Sequence, residues 1–444
     1  MGTTHDRAVP HPFPLPGSDE ALLDSFESVA FGYFLENINP ANGLIADTSR
    51  SGSPCSIAVV GFALSCYPIG VERGWITRAE AVARTLLSLR FFRDSPQGVQ
   101  ADATGYKGFY YHFLDMQTGR RAWQSEVSLI DSALLAAGIL TCREYYRGAT
   151  PEEGEIRSLA DELYLRMDWQ WAQNNTATVT QGWKPECGFL HYGWEGYTEA
   201  LILYTLGLGS PAYPLPVTAY GEWKSTYQWE NLYGHDYLYA GPLFIHQFAH
   251  AWIDFRGIRD RFMRAKRSDY FENSRTAAWI QREYALRNPR EYRGYGKDCW
   301  GFTACDGPGR KTRSINGIDR RFFGYAARGV PYGPDDGTIS PAAVFGALPF
   351  APEICLPAIQ NICERYPGIA ETYRVPSGLN PTFATDDPLG WVSEGYFGLD
   401  QGLIVLMIEN SRTGRLWNLM RQCPYLKNGL RRAGFTGGWL DRND

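Results

Sequence analysis

Apolar residues that recur every three or four positions along most of the chain are what most constrains its fold. Leu22, Leu23, Phe26, Val29, Ala30, Tyr33 and Phe34 set the pattern and predict a first helix starting after Ser18, a suitable N-cap. The same spacing predicts helices near 55–68, 78–93, 125–146, 153–172, 196–208, 241–256, 264–287, 340–347, 352–365, 399–410 and 413–421. Strand signal is local: residues 108–115 alternate, and Gly119 predicts a turn back into a hairpin. No strand–helix–strand rhythm appears, which disfavours a parallel sheet. Long connections rich in Gly, Pro, Tyr and Trp join the helices at 95–124, 173–195, 209–240, 288–339 and 366–398. The expected fold is therefore all-α: six helical hairpins closed into an (α/α)6 barrel, with long rim loops and minor β-hairpins.

Length alone would suggest two or three domains for 444 residues. No Ser- or Pro-rich linker divides the chain, so the expectation is an N-terminal extension, 1–17, and a single domain, 18–444. A net charge of -5 argues against a nucleic-acid partner. Residues 1–17 hold no apolar leader core and no stretch approaches a membrane span. The expectation is a cytoplasmic monomer without membrane attachment, or a periplasmic or secreted one if a leader is removed. Nine cysteines stand singly with no C-x-x-C pair, which argues against a zinc ribbon or a disulfide framework.

The segment from Gly193 to Gly209 is the most informative about chemistry. Its second half is almost wholly apolar and reads as a buried helix. Glu195 and Glu199, four apart at its entrance, would share a helix face, with Trp194 and Tyr197 beside them. Carboxyls at the mouth of a buried helix, wrapped in aromatics, suit sugar hydrolysis: burial raises a carboxyl pKa, and flat rings match the C–H faces of a pyranose. The 14 Trp and 27 Tyr fit such a cleft. Acidic residues in a first turn also simply offset the helix dipole, and this segment alone does not decide between the two.

An ordered set of short motifs spans nearly the whole chain: Asn42-Gly43-Leu44 to Asp47, Ser56-Ile57-Ala58, Gly74-Trp75-Ile76, Gly108-Phe109-Tyr110-Tyr111-His112-Phe113, Ser125-Glu126-Val127-Ser128 to Asp131, Gly196-Tyr197-Thr198-Glu199-Ala200, Gly209-Ser210-Pro211, Ala240-Gly241-Pro242, Asp306-Gly307-Pro308, Asp336-Gly337-Thr338 and Asp400-Gln401-Gly402. Together they resemble the bacterial glucoamylase-like domain and, within it, glycoside hydrolase family 144, the endo-β-1,2-glucanases. The resemblance implies an (α/α)6 barrel and inverting hydrolysis of β-1,2-glucan without metal or cofactor.

An inverting reaction needs one protonated and one ionised carboxyl across the cleft. Glu199 is the preferred acid, since desolvation at a buried helix favours its protonated form, and its Tyr-x-Glu-Ala setting resembles the family's acid. Asp400 is the preferred base: it precedes an apolar helix whose dipole favours the ionised form, although an Asp there is also a common N-cap. Asp131 and Glu126 flank Ser128 at another helix start, where they would bind sugar hydroxyls, support the acid or merely cap; Asp131 is the third catalytic candidate. Trp194, Glu195, Tyr197, His112, His246, Asp306 and Trp391 complete the expected sugar contacts. Asp335 and Asp336 read as turn formers.

His246, His250 and Asp254 follow at intervals of four, a spacing able to hold a metal. The zinc-protease pattern would place Glu where this chain has Gln247, so core or hydroxyl-binding histidines are expected and no metal. No G-x-S-x-G elbow, P-loop or complete dinucleotide fingerprint occurs. A polysaccharide lyase on the same toroid stays open through Arg310-Lys311-Thr312-Arg313, as does a non-catalytic glycan-binding protein.

Overall fold

The computed structural model describes residues 17–442, so all but the last residue of the 1–17 extension lies outside the described residues. Helices dominate, and among the described residues the strands are short antiparallel pieces. Six helices carry the centre: α1 (Ile57–Glu72), α2 (Leu129–Tyr145), α3 (Leu201–Gly209), α4 (Phe248–Trp252), α5 (Pro341–Ala347) and α6 (Gly398–Arg412). α3 and α5 are buried at every residue, which is why their sequences are apolar all round rather than striped. α1 packs on α2, α2 on α3 and α3 on α4; the turn Leu243–His246 beside α4 meets α5, α5 packs on α6, and α6 on α1. Gly61 and Gly138 let α1 and α2 meet backbone to backbone: a Cβ on Gly138 would stand 2.1 Å from the Gly61 carbonyl oxygen.

A second layer covers this centre. Gly17–Glu36 packs on α6, Arg78–Asp94 on α1, Pro151–Leu165 on α2, Pro424–Arg432 on α3 and Pro352–Arg365 on α5. Buried side chains from Leu23 to Leu440 form one continuous apolar cluster. Among the described residues no helix is long and apolar enough to cross a membrane.

Several expected boundaries move. The first helix already includes Gly17 and Ser18. The helix expected from 125 starts at Leu129, because Val127–Ser128 is taken into a five-stranded sheet. That sheet runs β1 (Gly105–Tyr106), β2 (Phe109–Tyr111), β3 (Val127–Ser128), β4 (Gly182–Lys184) and β5 (Gly188–Phe189), all antiparallel neighbours. The expected hairpin thus becomes part of a sheet, while the turn back near Gly119 survives as the bridge Leu114↔Arg121. The stretch 209–240, read as loop, contains the helix Val217–Trp223 and a hairpin, Trp229–Leu232 with His235–Leu238. Tyr233 and Gly234 turn that hairpin with positive φ angles of 54° and 86°, a turn that a Tyr-Gly pair signals only weakly.

Candidate active site

The ends of α2, α3, α5 and α6 and the loops joining them enclose a cleft with two adjoining hollows, of about 360 and 430 Å³. The first is lined by Glu126, Asp131, Gln181, Trp194, Glu199 and Phe248, among others. The second is lined by Asp47, Arg50, Trp123, Asp306 and Phe397, among others. His112, Tyr325, Leu399 and Asp400 face both.

Glu199 occupies the turn before α3, and Ala200 is the helix N-cap. Enclosure by protein, with a smaller push from Asp131, raises its pKa to about 7. The expected helix over 196–208 does not begin until Leu201. Gly196 takes a positive φ of 73° and donates its N–H to the Trp223 carbonyl at 2.8 Å, which holds 193–199 as a loop. Glu195 and Glu199 therefore do not share a helix face; Glu195 is exposed and outside the cleft lining. Trp194 does line it. Its backbone is fixed by an N–H to the Val179 carbonyl at 2.7 Å and by the Tyr204 hydroxyl on its own carbonyl at 3.0 Å.

Asp400 is the third residue of α6, behind the N-cap Phe397, so it does not cap that helix. Its Oδ2 is buried without a hydrogen-bond partner. Burial raises its pKa to about 7, opposed by the Ser377 hydroxyl and helped by Asp47 and Asp306. The helix dipole was expected to favour the ionised form of Asp400; desolvation and acidic neighbours push its pKa the other way.

At the start of α2 the cap is Ser128, whose Oγ accepts the Asp131 N–H at 3.2 Å and whose hydroxyl donates to Asp131 Oδ2. His112 stands between the two neighbouring acids, with Nδ1 3.0 Å from Glu126 and Nε2 3.5 Å from Asp131. Burial pushes the Glu126 carboxyl up, but the hydrogen bond from His112 and its charge bring it below its usual value. Asp306 accepts from Ser393 at 2.9 Å and is ion-paired with Arg50. The structure brings these expected side chains to one cleft and adds Asp47 and Arg50, which were not among the expected site residues. Asp47, raised to about 6 chiefly by burial, comes from a loop with no periodic signal; only its place in a matching motif pointed to it.

Three further expected contacts belong elsewhere. Tyr197 is buried against Tyr227, His246 and Tyr270, because aromatic residues serve the core as readily as a cleft. His246 is fully buried, with Nε2 on the Ala240 carbonyl at 3.1 Å, and burial lowers its pKa to about 4. Trp391 pairs in a two-stranded piece with Asn380 and packs over Gly378. The His246, His250 and Asp254 set does not converge either. His250 meets the Ser274 hydroxyl at 3.1 Å, and Asp254 is paired with Arg256 and Arg421. Among the described residues no group of three or more His, Cys, Asp or Glu could hold a metal.

Asp336 forms a buried ion pair with Arg328 at 2.7 Å, and Asp335 accepts from the Tyr284 and Tyr295 hydroxyls, so both serve the loop structure. The basic run at 310–313 lies on the hairpin Lys311–Ile315 with Ile318–Phe322, where Arg313 stacks over Phe383. It does not line the cleft.

The exo beta-1,2-glucooligosaccharide sophorohydrolase (non-reducing end) of Parabacteroides distasonis is 26% identical over 452 residues, covering 94% of this chain. The chain spans 58% of the length of that relative. A crystal structure of a "putative glucoamylase" from Bacteroides uniformis superposes with a TM-score of 0.84 at 29% identity, covering 96% of this chain and 100% of that one. The endo-beta-1,2-glucanase of Chitinophaga pinensis, solved with sophorotriose and glucose, superposes with a TM-score of 0.80 at 25% identity, covering 96% and 100%. The family model described as "Putative glucoamylase" matches residues 191–424, more than half of the sequence, and the chain belongs to that family.

Proposed function

We propose that this chain is a glycoside hydrolase that cleaves β-1,2-linked glucan or its oligosaccharides with inversion, on a closed (α/α)6 toroid. Six central helices that follow one another in chain order, with the turn Leu243–His246 linking the fourth to the fifth and the sixth packed on the first, support the toroid. One continuous core supports a single domain over 18–444. The sophorohydrolase and glucanase relatives support the linkage.

The carrying observation is that Glu199, from the turn before α3, and Asp400, from α6, reach one cleft, each with a pKa near neutrality and neither consumed by an ion pair among the described residues. Glu199 donates its proton to the leaving glycosidic oxygen while Asp400 takes one from the attacking water. Trp194 offers a ring face to a pyranose, and Glu126, Asp131 and Asp306 accept from sugar hydroxyls. Asp131 is the alternative base. The partner is a neutral glycan, since a cleft lined by six carboxyl groups and only two cationic side chains among the described lining residues disfavours a polyanion. The chain acts as a monomer and needs no cofactor.

Incubation with linear β-1,2-glucan, beside α- and β-linked controls, tests the reading. Sophorose or sophoro-oligosaccharides are expected, with the α anomer first by NMR. Cleavage of another linkage alone overturns the substrate, and unsaturated products move the chain to the lyases.

A further inference from the structure

Six carboxylates line the cleft, Asp47, Glu126, Asp131, Glu199, Asp306 and Asp400, against two cationic side chains among the described lining residues, Arg50 and His112. The cations are not spread evenly. Arg50 is paired with Asp306, and His112 with Glu126 and Asp131. Among the described residues, Asp47, Glu199 and Asp400 stand in no ion pair. The six carboxyl groups of the cleft are thus divided into three with a countercharge and three without.

His112 holds the central place in this division. Its ring lies flat on Phe113, with centroids 3.9 Å apart and planes 14° apart, which fixes where both nitrogens point. Nδ1 faces Glu126 at 3.0 Å and Nε2 faces Asp131 at 3.5 Å. A neutral imidazole donates from one nitrogen only and would set a lone pair against the other carboxylate. The imidazolium satisfies both. Asp131 Oδ2 also receives the Ser128 hydroxyl, an acceptor role that suits the ionised acid.

We propose that His112 is a positioning residue: a lasting imidazolium that pairs with and orients Glu126 and Asp131, so that the proton needed for bond cleavage resides on Glu199. The proton assignment rests on the hydrolase reading; the charge state of His112 does not. The charged groups facing the ring come from three elements: Asp131 on α2, Glu126 before β3, and Asp47 on the N-terminal loop that also carries Arg50. Burial alone would lower the His112 pKa, but Asp131, Glu126 and Asp47 together raise it to about 9. Glu199 in turn feels Asp131, and Asp400 feels Asp47, so removing the imidazolium leaves more uncompensated negative charge around both. Each then holds its proton to higher pH.

Two measurements on the full chain test this. In ¹⁵N NMR of the wild type, with His112 assigned by comparison with a His112→Gln variant, both ring nitrogens should stay protonated at pH 8. Titration at or below the ordinary histidine value of about 6.5 overturns the proposal. In pH–rate profiles on β-1,2-glucan, His112→Gln should move both limbs upward by on the order of one pH unit. His112→Lys, which restores the charge, should bring them back toward wild type. Unmoved limbs in His112→Gln, or no difference between Gln and Lys, overturn the proton assignment. A wild type inactive on every glucan overturns the hydrolase reading and that assignment together, while the NMR titration still decides the charge of His112.

Discussion

Gly398, the first residue of α6, donates its backbone N–H to the carbonyl of Asp47 at 2.8 Å. Thr48 and Phe397 form a bridge beside it, so the loop that carries Asp47 and the start of the helix that carries Asp400 are one unit. Both side chains line the same hollow, and the Asp47 charge helps to raise the Asp400 pKa. Asp47→Asn removes that charge. The acidic limb of the kcat/KM profile, set by ionisation of the base, should move down by up to about one pH unit. An acidic limb that stays in place would remove Asp400 from the base role.

Glu199 and Asp400 each have a pKa of about 7. The active form needs the first protonated and the second ionised, and these conditions overlap only around neutrality. The wild-type profile of kcat/KM should be a narrow bell centred near pH 7, falling on the acid side as Asp400 is protonated and on the alkaline side as Glu199 ionises. A broad plateau several pH units wide would show that substrate-free enzyme holds its proton elsewhere.

Positioned proton transfer is typically worth about 10²–10⁴ in rate. Glu199→Gln and Asp400→Asn should each lose turnover on that scale. Neither residue caps a helix, so circular dichroism spectra should match wild type. If Asp400→Asn keeps most of its activity, Asp131 becomes the base.

The three-and-four periodicity revealed the helices because their burial is one-sided or total, and both patterns survive in sequence. It also revealed Asp131 and Asp400, which stand near helix starts where the chain turns into the cleft. Glu195 and Glu199 were misjudged as a pair because Gly196 breaks the helix, a backbone effect that composition around it conceals. Tyr197 and His246 were misjudged because a buried ring and a sugar-stacking ring look alike in sequence. Asp47 was marked only by its place in a matching motif, and Arg50 was out of reach: it meets Asp306 across 256 residues of chain, and no local pattern encodes that contact.

Metal should play no part. His246 and His250 are directed to the Ala240 carbonyl and the Ser274 hydroxyl, and burial lowers their pKa values to about 4 and about 3. Activity should survive prolonged chelation and desalting. A loss restored only by added divalent cation would show that these side chains converge in solution.

The raised pKa of Glu199 is also a statement about stability. An unfolded chain ionises this carboxyl near its ordinary value of 4.5, whereas the folded chain keeps it protonated up to about 7. Below pH 4.5 both states are protonated and nothing is lost. As pH rises toward 7 the unfolded state gains ionisation that the folded state lacks, so stability falls; above 7 it falls no further. The cumulative loss is at most about 3.4 kcal/mol, and smaller to the extent that part of the residue faces the open cleft. Glu199→Gln is neutral in both states and escapes it. The variant should therefore melt a few degrees above wild type at pH 8 and level with it at pH 4, while its activity is lost. Equal melting temperatures at both pH values would mean that Glu199 is solvated like an ordinary surface acid, and its role as the proton donor would fall with that finding.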